Sequence, residues 1–514
     1  MLRGILTVGG WTMVSRVLGF VRDMLLAAFL GAGPIADAFF LANRLPNLFR
    51  RLFGEGAFNA AFVPGFTSVL TTDGEAAARA FAEQAIAVMT FWLVGLTVLA
   101  EIFMPQLMGL YAAGFVEDAT KFALVVELGR ITFPYMPLIC LAALLSGVLN
   151  GLDRYAAAAA SPVLYNAFAI AFLLVLPPFV PTVGHAAAWG VSVAGVGQLA
   201  LLYWAVNRAG MRLLLLRPRL TPQMRLLFRR MAPGLLGAGV IQLNLAVDAF
   251  ISSLLPAGAV SVIYYADRVN QLPLGVIGIA VGTALLPTLS REVAGPRPEQ
   301  AVRTLNRAIE YALMLTLPAA LALAVVALPI VSVLFGRGAF TADAAARTAQ
   351  SLATYASGLP AFVLVKVLVP AFFARGDTKA PVWTGLTAVI LNLAANFALM
   401  VPLQHMGPPL ASSIAAWFNV ALLAWLLHRR GHMAGDRAFL RHLTGMVLAG
   451  LVMCPVLWGL EHTLYAAWAG RALGRTAALG VLVVAGMASY GLAGQLLGGF
   501  DLRDAVRLIR RRGR

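Results

Sequence analysis

Apolar residues run along this chain in long unbroken stretches, separated by short clusters of Arg, Pro and Gly. A transmembrane strand would alternate apolar and polar positions every second residue, which these stretches do not, so a β-barrel is excluded. A helix needs about 20 consecutive apolar residues to cross a bilayer, and the stretches have that length. Their order predicts an all-α polytopic membrane protein of about 14 transmembrane helices. The first six lie near 5–30, 35–53, 79–108, 122–150, 157–179 and 185–207. The next six lie near 226–254, 260–290, 305–335, 346–373, 380–402 and 409–428, and two more near 440–462 and 474–498.

The charges between the stretches give them direction. Arg154 follows the fourth span, Arg208 to Arg230 crowd the end of the sixth, Arg291 to Arg307 follow the eighth, and Arg375 and Lys379 the tenth. Arg429, Arg430, Arg437 and Arg441 follow the twelfth, whereas the odd-numbered ends carry few basic residues. Cytoplasmic loops hold the excess of Lys and Arg, so both termini are expected in the cytoplasm. The first twenty residues lack a hydrophobic core followed by a small-residue cleavage site and are read as a retained first helix. The tail DLRDAVRLIRRRGR places Leu502, Val506 and Ile509 on one side of a short basic helix, expected to lie on the anionic inner leaflet.

The pattern also repeats. FLGAGPIADAFFLANRLPN at 29–47 aligns with LLPAGAVSVIYYADRVNQL at 254–272, pairing Gly33 with Gly258 and Phe39, Phe40 with Tyr264, Tyr265. AAFVPGFTS around Pro64 matches TALLPTLSR around Pro287, and NGLDRY around Asp153 matches ARGDTK around Asp377, always at an offset of 223 to 225. An even number of spans per repeat gives two pseudosymmetric six-helix lobes of the same orientation. The expected organisation is an N-terminal lobe at 1–220 with a basic linker, a C-terminal lobe at 221–430, a two-helix appendage at 431–500 and the tail at 501–514. Two facing lobes are a transporter architecture, with the cargo cavity expected between them.

Composition removes alternatives. Of 514 residues, 60% are hydrophobic and 12% charged, more apolar surface than a soluble fold of this length needs. The net charge of +17 is spread over short loops rather than along one soluble face, which points to topology and lipid headgroups, not nucleic acid. Cys140 and Cys454 lie within apolar spans and give neither a disulfide framework nor a metal spacing. No Gly-Lys-Ser/Thr, HExxH or nucleophile elbow occurs, so direct ATP drive and a recognisable enzyme site are missing.

What disturbs the apolar pattern is the stretch 10–64, with Arg16, Arg22, Asp23, Asp37, Arg44, Arg50, Arg51 and Glu55. A charge near the middle of a membrane helix costs about 2.5–3.5 kcal/mol, so such residues normally face protein or a water-filled cavity. Asp37, Arg44 and Arg51 follow at steps of seven and share one slowly drifting helix stripe, with Asn43 and Asn47 beside it. Pro46 removes a backbone hydrogen bond that these polar side chains or water must replace. On the eighth span Tyr264, Tyr265, Asp267, Arg268, Asn270 and Gln271 are the counterpart. Arginine suits phosphate, because its planar fork makes paired charge-assisted bonds and keeps its proton. The acids can instead pair with the arginines as structural bridges, and Arg50 and Arg51 can be topology signals; the arginine surplus calls for an anionic ligand. Asp248, near Gln242 and Asn244 in the seventh span, fits a coupling cation or proton, or an arginine partner.

SRVLGFVRD at 15–23, DAFFLANRLPNLFRRLFGEGAF at 37–58, AFVP at 61–64, YYADRV at 264–269 and GTALLP at 282–287 resemble the MurJ (MviN) family of bacterial lipid II flippases. The resemblance runs the length of the chain. It implies the multidrug/oligosaccharidyl-lipid/polysaccharide exporter fold in the bacterial cytoplasmic (inner) membrane and a role in peptidoglycan biosynthesis and cell shape. It further implies alternating-access movement of lipid II, the undecaprenyl-pyrophosphate-linked disaccharide pentapeptide, from the inner to the outer leaflet. Substrate-binding residues implied by it are Arg16, Arg22, Asp37, Arg50, Arg51, Glu55 and Arg268, joined by Asp23, Asn47 and Asp267. Arg44 stands where related proteins often carry a lysine. Some relatives bind sodium, for which Asp248 and Asp377 are the nearest candidates; otherwise no cofactor is expected, and a coupling ion or the membrane potential supplies drive. Expected partners are membrane lipids and the cell-wall synthesis machinery, with the chain itself a monomer. The alternative is a cation-coupled exporter of drugs or other lipid-linked oligosaccharides on the same fold.

Overall fold

Long apolar helices account for almost every described residue in a computed structural model of the chain, which describes residues 2–51, 57–295, 299–433, 435, 437–468, 470 and 472–500. Glu55 and the tail 501–514 lie outside them. In order the helices are α1 (Leu2–Leu30), α2 (Pro34–Phe49), α3 (Ala57–Thr72), α4 (Gly74–Ile102), α5 (Met104–Tyr111), α6 (Ala119–Thr132) and α7 (Tyr135–Gly151). Then come α8 (Ala156–Val175), α9 (Val183–Arg208), α10 (Pro222–Ser253), α11 (Ala259–Ala294), α12 (Glu299–Val325) and α13 (Ala327–Phe335). The last are α14 (Ala342–Phe373), α15 (Lys379–Leu403), α16 (Gly407–Arg429), α17 (Arg437–Leu460), α18 (Ala466–Trp468) and α19 (Ala472–Leu496). The expected all-α membrane class holds: among the described residues, nine helical segments are long and apolar enough to cross a membrane. Phe91, Trp92, Val98, Leu99 and Ile102 of α4 are each at least half exposed, a face that water would not tolerate and lipid would.

The chain divides into two units. Unit 1 comprises Met1–Ser261 with Gly338–Phe340, and unit 2 comprises Val262–Arg337 with Thr341–Arg514. In unit 1, α8 packs on α1 and α9, α9 on α7, α2 on α6, and α10 on α3. Phe62 stacks on Phe66 and Phe81 at 5.9 and 5.6 Å between ring centroids, fixing α3 against α4. Buried polar side chains cross-link the helices where no water can: Gln198 Nε2 donates to Ser161 O at 3.0 Å. The basic linker after α9 is tied to α4, with Leu214 N–H donating to Glu83 at 3.0 Å and Arg219 N–H to Gln84 at 3.2 Å.

In unit 2 a core of Leu289, Leu305, Ala312, Val363, Val367, Leu423 and Leu427 joins α11, α12, α14 and α16. The pair α17 and α19 adds a second core of Ala449, Met453, Leu457 and Leu482 against Val326. Gly450 permits that approach, since a Cβ there would lie 2.4 Å from Leu321 Cδ1 of α12.

The repeat also shows in contacts at one end of unit 1. Ala339 N–H donates to Ala28 O at 2.7 Å, and Gly114 N–H to Ser253 Oγ at 3.2 Å. Residues 28 and 253, and 114 and 339, are each 225 apart, so the two contacts are repeat-related. Backbone touches backbone here. A Cβ on Gly338, whose φ is +62°, would lie 2.2 Å from Ala28 O, whereas one on Gly74, φ +86°, would meet nothing within 4 Å. Gly74→Ala is therefore expected to show only left-handed strain, about 1–2 kcal/mol. Gly338→Ala adds a backbone clash and is expected to lower the thermal midpoint of the detergent-purified protein further. An equal or smaller shift for Gly338→Ala would show that the contact yields at no cost.

Candidate functional site

Arg22 of α1 is held on three sides. Its Nε and Nη2 donate to Asp23 Oδ1 at 3.1 and 2.7 Å, and its Nη1 to Asn166 Oδ1 of α8 at 3.0 Å. The guanidinium carbon lies 5.5 Å from the Tyr165 ring centroid. Neighbouring residues on a helix do not ordinarily face each other, so the arginine folds back along α1 to reach Asp23, which is buried. Asn166 Nδ2 in turn donates to Ser15 O at 3.0 Å, and Gly19 faces the same amide. Arg16, on the same helix, is exposed.

The stripe of α2 splits among different surroundings. Asp37, 1% exposed, accepts from Gly258 N–H, from Ser261 N–H at 2.8 Å and from Ser261 Oγ at 2.7 Å. Those groups open α11, where N–H groups lack helical partners and the helix dipole favours negative charge. Arg44, seven residues on, lies within electrostatic reach of the buried Tyr111 of α5, as does Asp248 of α10. Asn47 Nδ2 donates to Asn43 O at 2.7 Å, and Arg50 Nε donates to Asn47 Oδ1 at 3.1 Å. The helix then widens into a π turn at Arg50 and the exposed Arg51.

Pro46 leaves the Ala42 carbonyl without its helical donor. The group that approaches it is neither asparagine but the Thr132 hydroxyl of α6, 3.3 Å away, with Leu128 O at 2.9 Å as its nearer acceptor.

In unit 2, Arg268 lies 4.8 Å from the Tyr264 ring centroid, and Asp267 accepts from Gln271 Nε2. Asp377 accepts from Arg430 Nη1 and from the backbone N–H groups of Lys379 and Ala380, both at 3.0 Å. Among the described residues no three His, Cys, Asp or Glu side chains cluster as metal ligands. The structure thus joins Arg22 to Asp23, puts Tyr111 under the electrostatic influence of both Arg44 and Asp248, and sets Asp37 on donors at the start of α11.

A family model described as lipid II flippase MurJ matches residues 26–476. A protein of Rhizobium tropici named probable lipid II flippase MurJ is 40% identical over 522 residues, covering 100% of this chain and 97% of its own length. The chain belongs to the MurJ family. A Rhizobium meliloti (strain 1021) relative of the same name is 42% identical over 511 residues, covering 98% of this chain and 95% of its own. A Burkholderia cenocepacia relative named lipid II flippase MurJ is 34% identical, with 90% of each chain covered. The fold is that of a solved MurJ in its inward closed conformation, with TM-score 0.80 at 23% identity over 97% of this chain and 99% of that one. An inward-facing multidrug transporter of the MATE family shares the fold more distantly, with TM-score 0.59 at 16% identity over 83% of this chain and 98% of that one. This MurJ-family chain is a transporter rather than an enzyme.

The residues that position the charges carried weaker sequence signals. Asn166 was visible as a lone amide within VLYNAFAIAF, and Thr132 and Ser261 were not distinguishable from any small residue of an apolar helix. Asp37→Asn, which gives the first turn of α11 one acceptor oxygen in place of a carboxylate, is expected to destabilise the protein by about 1–3 kcal/mol. Thermal unfolding in detergent measures this, and an unchanged midpoint would show that the carboxylate does not hold that turn.

A second expectation concerns acid. The Arg430 side chain, with the backbone N–H groups, holds the Asp377 carboxyl below its ordinary value. A depressed folded-state pKa stabilises above the unfolded value of about 3.9, and that stabilisation fades as pH falls through the folded value. Arg430→Gln is expected to weaken this acid-side loss in unfolding scans between about pH 3 and 6.

Proposed function

We propose that the chain moves lipid II from the inner to the outer leaflet of the bacterial inner membrane, with its arginines binding the pyrophosphate. The single observation that carries this is how the acids are used. Asp23 is bonded to Arg22, Asp37 to the start of α11 and Asp267 to Gln271. Carboxylates so engaged are poorly placed for a cationic drug, while Arg16, Arg44 and Arg268 bring positive charge on otherwise apolar helices. Full-length identity of about 40% to proteins named as lipid II flippases supports the same cargo.

The chemistry follows from the headgroup. A pyrophosphate presents fixed negative charge to guanidinium forks, the polyprenyl tail stays in lipid, and only the polar part must cross. Moving that charge outward across an inside-negative membrane is favoured by about 2.3 kcal/mol per charge per 100 mV, which needs no ATP. Arg44 and Asp248 both act electrostatically on Tyr111, so a coupling ion or proton that neutralises Asp248 would change the field at that tyrosine.

The test is lipid II exposure in cells, read by cleavage of the headgroup at the outer leaflet. Depletion of the protein lowers exposure, wild type restores it, and Arg268→Ala or Arg16→Ala, at wild-type membrane levels, leaves it lower by about tenfold or more. Arg268→Lys, which keeps charge but loses the fork, falls between. Full exposure with both alanine variants would remove the anion site, and exposure independent of the protein where other flippases are absent would assign it another cargo.

A further inference from the structure

Two corners of the fold, one in each unit, are built from repeat-related parts and differ in charge. In unit 2, α14 ends in a Schellman turn: Gly376 has φ +75°, its N–H donates to Phe373 O at 3.0 Å, and Asp377 N–H donates to Phe372 O at 3.1 Å. Asp377 then takes Arg430, and the neighbouring Arg429 lies 5.4 Å from the Trp425 ring centroid.

In unit 1, α7 ends in the same turn. Asp153 has φ +58°, its N–H donates to Asn150 O at 3.1 Å, and Arg154 N–H donates to Leu149 O at 2.8 Å. At the end of α9, Arg208 lies 5.3 Å from the Trp204 ring centroid, matching Arg429 on Trp425. The turn geometry shifts the sequence alignment of Asp153 with Asp377 by one residue: Asp153 takes the left-handed place of Gly376, and the position that corresponds to Asp377 is Arg154. Where unit 2 closes its corner with an aspartate–arginine bridge, unit 1 lines an open cavity of about 390 Å³ with both Arg154 and Arg208. The one carboxylate on the wall, Asp153, accepts the Tyr155 hydroxyl at 2.7 Å. Two arginines against one aspartate leave a net positive cavity, with Thr7 adding a hydroxyl to the lining.

We propose that this cavity binds the phosphodiester of an anionic membrane phospholipid, apart from the arginines assigned to the transported pyrophosphate. Guanidinium forks match phosphate oxygens, and Tyr155 and Trp204 are the amphipathic aromatics that settle at headgroup level. The short loop holding Arg154 lies on the side that the positive-inside rule assigns to the anionic inner leaflet. A lipid, and not a free phosphate, is indicated by the surface leading away from the cavity. Trp189, Val196 and Tyr203 recur every seven residues along α9 and are all exposed, an apolar stripe along which an acyl chain can lie.

Native mass spectrometry of the full-length protein in detergent tests this, with phosphatidylglycerol, phosphatidylethanolamine and glycerol 3-phosphate as probes. Wild type retains phosphatidylglycerol over phosphatidylethanolamine, and Arg208→Gln or Arg154→Asp lowers that retention about tenfold. Arg154→Asp leaves one arginine against two aspartates in the cavity, and Arg430→Gln, on the other corner, leaves retention unchanged. Both substituted arginines are exposed, and thermal unfolding checks that each variant is folded. Equal retention of the two lipids, wild-type retention by both corner variants, or binding of glycerol 3-phosphate as strong as that of the lipid would overturn the proposal.

Discussion

A carboxylate sealed from solvent holds one end of unit 1 together. Asp37 is 1% exposed, and such a charge is costly in an apolar interior unless donors replace the water it loses. Gly258 and Ser261 supply them from the first turn of α11, where N–H groups would otherwise have no partner. Two needs cancel in one contact. The same end shows the two repeat-related approaches, Ala28 to Ala339 and Ser253 to Gly114, in which glycine lets backbone meet backbone. This end consequently gains directional hydrogen bonds to main chain in addition to its apolar packing.

Elsewhere the same constraint sorts the arginines. Arg22 is fixed by Asp23, Asn166 and Tyr165, so the direction of its guanidinium is set by its neighbours. Arg268 rests on the face of Tyr264, where the ring quadrupole attracts the guanidinium. Arg16 and Arg51 are exposed. At the helix ends the repeat has diverged in charge: one Schellman corner carries Asp377 with Arg430, and the other carries Arg154 with Arg208.

The apolar stretches determined the helical membrane class, because in lipid only helices and closed barrels satisfy the backbone and unbroken apolar runs exclude the barrel, and the Arg and Asp motifs of 15–58 and 264–269 determined the family. The 223–225 residue offset announced the repeat, and it returns in the paired turns and contacts. The partners of each charge were decided only by tertiary structure. Asp37 and Arg44 share a stripe on α2, yet one meets the start of α11 and the other the surroundings of Tyr111, because a helix stripe fixes direction and not what lies opposite. Pro46 told that a carbonyl would be orphaned, and the fold brought Thr132 to it. Hydrophobic periodicity carries information about lipid, which is uniform along the chain. Pairing depends on which side chains long helices bring within about 3 Å of each other, and one sequence without its fold does not contain those distances.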